Sequence, residues 1–284
     1  ARKVASVKAG AAEAASASSV GVASAAEAEA KVGDTEQLDE EDERVTKHME
    51  KFMDKARAIG RTPGQKAPKR AAAEYDAALD AGAQTVPRVG DDDVVRAERH
   101  AAFVAAFVDE LNSLRGAPRK WAEANLGAVR ERCFGGGDNK YRSATGSGVE
   151  LDTTEGAAAV DALDEHLRAM VGLPRVALAD GLVRSAATFT DSVRTSGALS
   201  APPADTPAAH GTTKGKAKML LGVGGATPKE VLLLWLLDDG KPKRTKRKLL
   251  LDPNMTRVGV STCAHADVAQ VTLAIIATDY TEKA

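Results

Sequence analysis

Apolar residues recur at spacings of three and four along several separate stretches, and each such stretch predicts a helix with one buried face. Val45, Met49, Phe52, Met53 and Ala56 form the first stripe, opened by the acidic run Asp39-Glu40-Glu41-Asp42-Glu43, whose charges suit the positive end of a helix. Arg61 to Pro68 ends it, Lys69 to about Leu79 predicts a short second helix, and Val86-Pro87-Arg88-Val89-Gly90 reads as a linker. A stronger helix opens at Asp91-Asp92-Asp93, with Val94, Val95, Phe103, Val104, Phe107, Val108, Leu111 and Leu114 on one side. Cys133 to Gly148 reads as a loop. Two more helices follow: one from Glu155 to Val171 with Val160, Leu163, Leu167 and Met170 on one face, and one from Leu178 to Arg194. Ser200 to Gly215 is a Pro, Ala and Gly-rich connection. Thr227-Pro228-Lys229-Glu230 is a capping box with proline at the first helical position, and it opens a helix from Val231 to Asp238 that is apolar almost all round and therefore buried. The β-branched runs Arg257 to Cys263 and Gln270 to Thr278, joined by a short polar loop, predict an antiparallel hairpin.

These elements divide the chain. Residues 1–33 are low-complexity Ala, Ser, Gly and Val, too poor in large apolar side chains to offset the entropy of ordering alone. Residues 34–90 make a helical arm and linker without a core of their own, and residues 91–284 hold the globular core. The 284 residues are 43% hydrophobic but only 4% aromatic, because alanine inflates the apolar count. A net charge of -1 gives no global field toward nucleic acid or membrane, so nucleic-acid binding is not expected. There is no apolar run long enough to span a bilayer, and the first thirty residues lack the apolar core of a secretory signal. Their Ala, Ser and Lys content with Arg2 suits a mitochondrial presequence, whereas Glu13, Glu27 and Glu29 oppose one. Two cysteines, Cys133 and Cys263, cannot build a disulfide framework, although one bridge between them stays open; a reducing compartment is the expectation.

Several strings then recur in a telling order. Phe107-Val-Asp-Glu-Leu-Asn112-Ser-Leu-Arg115 precedes Pro118; Thr154-Glu155-Gly156 precedes Ala159-Val160; Leu182 precedes Ala186-Ala187. Most specific is the block from Trp235 to Val260: Leu236-Leu237-Asp238-Asp239-Gly240, Thr245-Lys246-Arg247, Leu250-Leu251-Asp252-Pro253 and Val258-Gly259-Val260. Over about 180 residues the chain resembles a CAP domain, the fold of cysteine-rich secretory proteins, antigen 5 and plant pathogenesis-related proteins, in its bacterial and protist branch. The resemblance implies an α+β fold, an α-β-α sandwich with a small antiparallel sheet, here preceded by an extended, partly helical N-terminal arm. It also implies a central cleft in which two histidines and two acids can hold a divalent cation. His210 stands at the first histidine position and Asp238 at the second acid, but Lys246 replaces the second histidine, and Met219 to Gly225 contains no acid. The cleft is thus degenerate, and neither metal, cofactor nor catalysis is expected.

Other candidate chemistry is weaker. Ser200, His210 and Asp238 are a conceivable triad without a nucleophile-elbow string, and Gly222, Gly224 and Gly225 near Lys229 fail the spacing of a phosphate loop. The basic cluster Lys241, Lys243, Arg244, Lys246, Arg247 and Lys248 is a candidate contact for an acidic partner such as tubulin, or a solvated loop. Met49, Phe52 and Met53 form an apolar stripe that must bury against the body or a partner. The expected function is a non-catalytic structural subunit of a large intracellular assembly, cytoskeletal and most specifically ciliary or flagellar, with a mitochondrial complex as second choice. The alternatives are a CAP-type binder of a sterol, lipid or cation or a hydrolase, and a secreted CAP protein with a Cys133–Cys263 bridge.

Overall fold

The computed structural model describes residues 85–143 and 150–283. The arm of residues 1–33, the stripe of Met49, Phe52 and Met53, and both helices expected before residue 80 lie outside the described residues.

Helix α1 (Asp93–Gly116) starts where the acidic triplet places it: Asp92 is the N-cap, its carboxylate accepting from the Val95 N–H at 2.8 Å. Phe103, Val104, Phe107, Leu111 and Leu114 are buried as expected, but Val94, near the start of the helix and well before its first buried residue Phe103, is 68% exposed. Helix α2 (Pro118–Phe134) follows at once, with Pro118 pre-set for the first turn; Cys133, expected in a loop, closes it. Strands β1 (Lys140–Arg142) and β2 (Glu150–Asp152) pair as a small antiparallel ribbon. Helix α3 (Ala157–Ala169) stops before Met170, and Val171 is exposed rather than helical. Strand β3 (Ala177–Leu178) takes Leu178 out of the next helix, α4 (Asp180–Ser196), which ends at Gly197 in the left-handed region, φ 65°.

The Pro, Ala and Gly-rich connection carries strand β4 (Gly211–Thr213) and leads into β5 (Ala217–Val223), a strand the glycines around it had concealed. Helix α5 (Pro228–Leu237), the short α6 (Thr245–Leu250), the hairpin β6 (Arg257–His265) and β7 (Ala269–Ala277), and β8 (Tyr280–Glu282) complete the order. The hairpin stands where β-branching predicted it.

The main sheet runs β3-β6-β7-β5, and β4 pairs with β8 beside it. It is antiparallel except for the two-residue β3, which lies parallel to β6. Helices cover both faces. Alternate residues of β7 divide between them: Ala274 and Ile276 join the cluster built with α1, α2, α3, α5 and α6, while Val271, Leu273, Ile275 and Ala277 join Leu182, Ala186, Phe189 and Val193 of α4. Two glycines set the layer spacing. A Cβ on Gly259 would sit 2.3 Å from the Leu182 backbone, and one on Gly222 would sit 2.5 Å from the Trp235 indole nitrogen. The architecture is therefore α+β, with helices on both faces of a small sheet.

Asn112 and Arg115 tie the layers together. Asn112 exchanges two hydrogen bonds with the backbone of Val176, and the fully buried Arg115 donates to the carbonyls of Pro174, Leu250, Asp252 and Met255. Val86 and Pro87, read as linker, are buried, with Val86 packed in the first cluster. No helix among the described residues is long and apolar enough to cross a membrane.

Candidate functional site

Helix α5 is opened by the cap its sequence predicted, with one difference. The Thr227 hydroxyl accepts from the Glu230 N–H at 3.1 Å, but the Glu230 carboxylate reaches one residue further back than a capping box, to the Ala226 N–H at 2.8 Å. Its other oxygen accepts from Tyr141 at 3.1 Å and Ser143 at 2.5 Å, so β1 is locked onto α5 through a buried carboxylate. Burial, followed by the charge of Glu230, pushes the Tyr141 phenol above its ordinary value and keeps it the donor.

The far end of α5 carries Asp238, which the resemblance assigns to a degenerate cleft. Asp238 turns left-handed (φ 44°) and ends the helix, leaving its last carbonyls without intrahelical donors. Arg244 and Arg247 supply them: Arg244 donates to Leu237 and Asp238, and Arg247 to Leu236 at 2.7 Å and Leu237 at 3.3 Å. Two cations at the negative end of a helix are favourably placed. Arg244 also pairs with Glu155, which holds that carboxyl below its usual range. The Asp238 carboxylate accepts from the Lys246 N–H at 2.9 Å and so caps α6. The Lys246 ammonium donates to the Leu221 carbonyl of β5 at 3.1 Å. Desolvation pushes its pKa down; Asp238 opposes that shift and Lys241 adds to it.

Asp238 and Lys246 are thus joined through the Lys246 N–H, whereas His210 does not join them through any hydrogen bond. It sits half-buried at the start of the β4–β8 ribbon, its carbonyl accepting from Lys283 N–H at 3.0 Å. Ser200 is exposed in the connection before it, so the conceivable triad is not assembled. Among the described residues no group of three or more His, Cys, Asp or Glu side chains is arranged to hold a metal ion. Of the basic cluster, Arg244, Lys246 and Arg247 are committed to internal partners, Lys241 is half-buried, and Lys243 and Lys248 are exposed. Met49, Phe52 and Met53 lie outside the described residues. Cys133 and Cys263 form no disulfide and are buried in opposite clusters, so the bridge expected of a secreted form is not present.

A second polar group went unread in the sequence. His100 of α1 meets the Ser261 hydroxyl at 2.9 Å, and Ser261 meets Thr190 of α4 at 2.7 Å. Ser261 is 1% exposed, so the set pins β6 between two helices and presents no nucleophile. Burial lowers the His100 pKa, and Asp191 opposes that shift.

No protein-family model matches the chain, and none of the curated proteins matches it. Among solved structures, an outer surface protein from Borrelia burgdorferi is similar at 12% identity and a TM-score of 0.31, over 38% of this chain and 80% of that one. An extracellular protein containing an SCP domain from Bacillus anthracis is similar at 16% identity and a TM-score of 0.29, over 43% of this chain and 38% of its own length. These are weak structural neighbours.

Proposed function

We propose that this chain is a non-catalytic docking block of a larger intracellular assembly, a CAP-like body whose cation cleft has been given over to structure. One observation carries the proposal: Lys246 stands at the histidine position with its ammonium on the Leu221 carbonyl, while Asp238, the matching acid, is engaged by the Lys246 backbone. A cation entering there would meet a positive charge and a carboxylate already hydrogen-bonded. Calorimetric titration of the full chain with Zn²⁺, Ca²⁺ and Mg²⁺ should give no saturable heat. Saturable binding abolished by His210→Ala or Asp238→Ala would sink the proposal and restore the cation-binding alternative.

The arm before residue 85 is assigned to neighbouring subunits, because its sequence offers an apolar stripe without a core. Cross-linking in cell extract should capture neighbours with the full chain and lose them with a chain lacking residues 1–84. The narrower form places the assembly on the cytoskeleton of a cilium or flagellum. Lys248, exposed on α6, is what the body offers there to an acidic neighbour such as tubulin. Co-pelleting with microtubules, lost in a Lys248→Glu variant, tests that form.

A further inference from the structure

Among the described residues, strand β5 is the last strand of the main sheet on its side. Two bonds fix the phase of its ladder with β7: Gly224 N–H to the Gln270 carbonyl and Thr278 N–H to the Lys216 carbonyl, both 2.9 Å. Antiparallel ladders alternate, so residues 218, 220 and 222 face β7, and Ala217, Met219, Leu221 and Val223 turn their N–H and C=O groups outward. Of those outward groups, the Leu221 carbonyl is met by Lys246.

The side chains alternate as well. Ala217, Met219, Leu221 and Val223 lie on the α4 side of the sheet, half-buried, because α4 rides over β6 and β7. Lys216 and Lys218 fall on the opposite side, which is also the side of α6 and Lys246. Lys214, Lys216 and Lys218 are exposed and make no ion pair among the described residues. The edge therefore offers an apolar row on one face, a cationic row on the other, and between them outward backbone groups of which, among the described residues, the Leu221 carbonyl alone is hydrogen-bonded.

We propose that the β5 edge docks an extended segment of a partner protein, adding it to the sheet as a further strand, and that the segment alternates acidic with apolar residues. Its apolar side chains continue the row of Met219, Leu221 and Val223, and its carboxylates face Lys216, Lys218 and Lys246. Strand addition draws affinity from main-chain hydrogen bonds and selectivity from alternate side chains, and this edge supplies both. Lysines also guard an empty edge against chance pairing, and Lys246 on the Leu221 carbonyl is such a guard until a carboxylate draws it aside. The inference deepens the docking-block reading, on which it rests for the premise that the body holds a protein partner.

The test uses the full chain and a short labelled peptide alternating glutamate with valine, against its lysine–valine counterpart, followed by fluorescence anisotropy and residue-resolved amide exchange. The glutamate peptide should bind and the lysine peptide should not. Exchange should slow at Met219, Leu221 and Val223 and stay unchanged at Lys218, Leu220 and Gly222, which already face β7. Lys216→Glu with Lys218→Glu, two exposed changes that leave the fold alone, should weaken binding about tenfold or more. Met219→Pro removes one outward donor, which an edge position tolerates, and should weaken it comparably. Equal binding of both peptides, no binding of either, or protection lying elsewhere overturns the proposal. So does a concentration-dependent dimer abolished by Met219→Pro, which would put a second copy at the edge. Metal titration judges the docking-block reading separately, so either can fail while the other stands.

Discussion

Arg115 ties together more distant segments than its position in one helix would suggest. It is fully buried, and its guanidinium collects the carbonyls of Pro174, Leu250, Asp252 and Met255 from segments far apart in sequence. Burial lowers its pKa, and Asp252 opposes that shift, so the charge is retained at a cost that those carbonyls offset. Arg115→Met should cost about 3–5 kcal/mol, because the carbonyls stay behind without a donor; the urea midpoint measures it. Lys246 should behave oppositely. Its ammonium is desolvated against a single edge-strand carbonyl, so Lys246→Met, which removes that cost, should be neutral or stabilising by up to about 1 kcal/mol at neutral pH. The pH dependence has a definite sign. The native pKa lies below the ordinary 10.5, so as pH rises through the native value the folded protein releases a proton that the unfolded chain keeps. Stability contributed at this position is absent at lower pH and gained on the alkaline side. Wild type should therefore gain on Lys246→Met in paired melts taken from pH 7 toward 10.

At the scale of elements, helix α5 shows how a local signal and a distant one combine. Thr227, Pro228 and Glu230 announce its start from sequence alone, but Tyr141 and Ser143, which complete the shell of Glu230, lie almost ninety residues earlier and carry no pattern pointing to it. Glu230→Gln keeps the size and replaces an acceptor by an amide where hydroxyl and N–H donors converge, so a loss of about 1–3 kcal/mol is expected. Amide exchange should locate the damage at β1 and the start of α5. The same contrast decides what was legible. Helices α1, α3 and α4 and the β6–β7 hairpin were visible because one face of each is apolar at its own period. Helix α2 was not, since only Trp121, Ala122 and Leu126 of its middle face the core between charges, and β5 was not, since an edge strand need bury only Leu220 fully. In the candidate site, Asp238 and Lys246 were brought together only by the resemblance, since the helix α6 that carries Lys246 was read as a basic loop. The inward turn of Arg244 and Arg247 was not legible, because a run of lysines and arginines reads as a solvated loop until the orphan carbonyls of α5 are placed beside it.

For the whole molecule, the question is where the body begins. Composition puts the boundary at the Asp91 triplet, yet the structure buries Val86 completely in the larger cluster, and the Arg88 N–H is held by the Asp91 carboxylate at 2.8 Å. A short Pro-containing stretch between two charged segments resembles a linker because one valine is too little to register as a periodic face. Packed, that valine is worth about 1.5–3 kcal/mol. Two truncations separate the alternatives. A chain starting at Thr85 should melt like the full-length protein, since every contact described for the body is retained, whereas a chain starting at Asp91 should lose about 2 kcal/mol of stability. Both should keep the far-ultraviolet signature of the α+β core. Equal midpoints for the two truncations would mean that Val86 fills no space the core needs, and the boundary would move back to the acidic triplet. If the first truncation also unfolds, the arm contributes to the core itself and cannot serve only its neighbours, which would tell against the docking-block reading at the point where it depends on the arm.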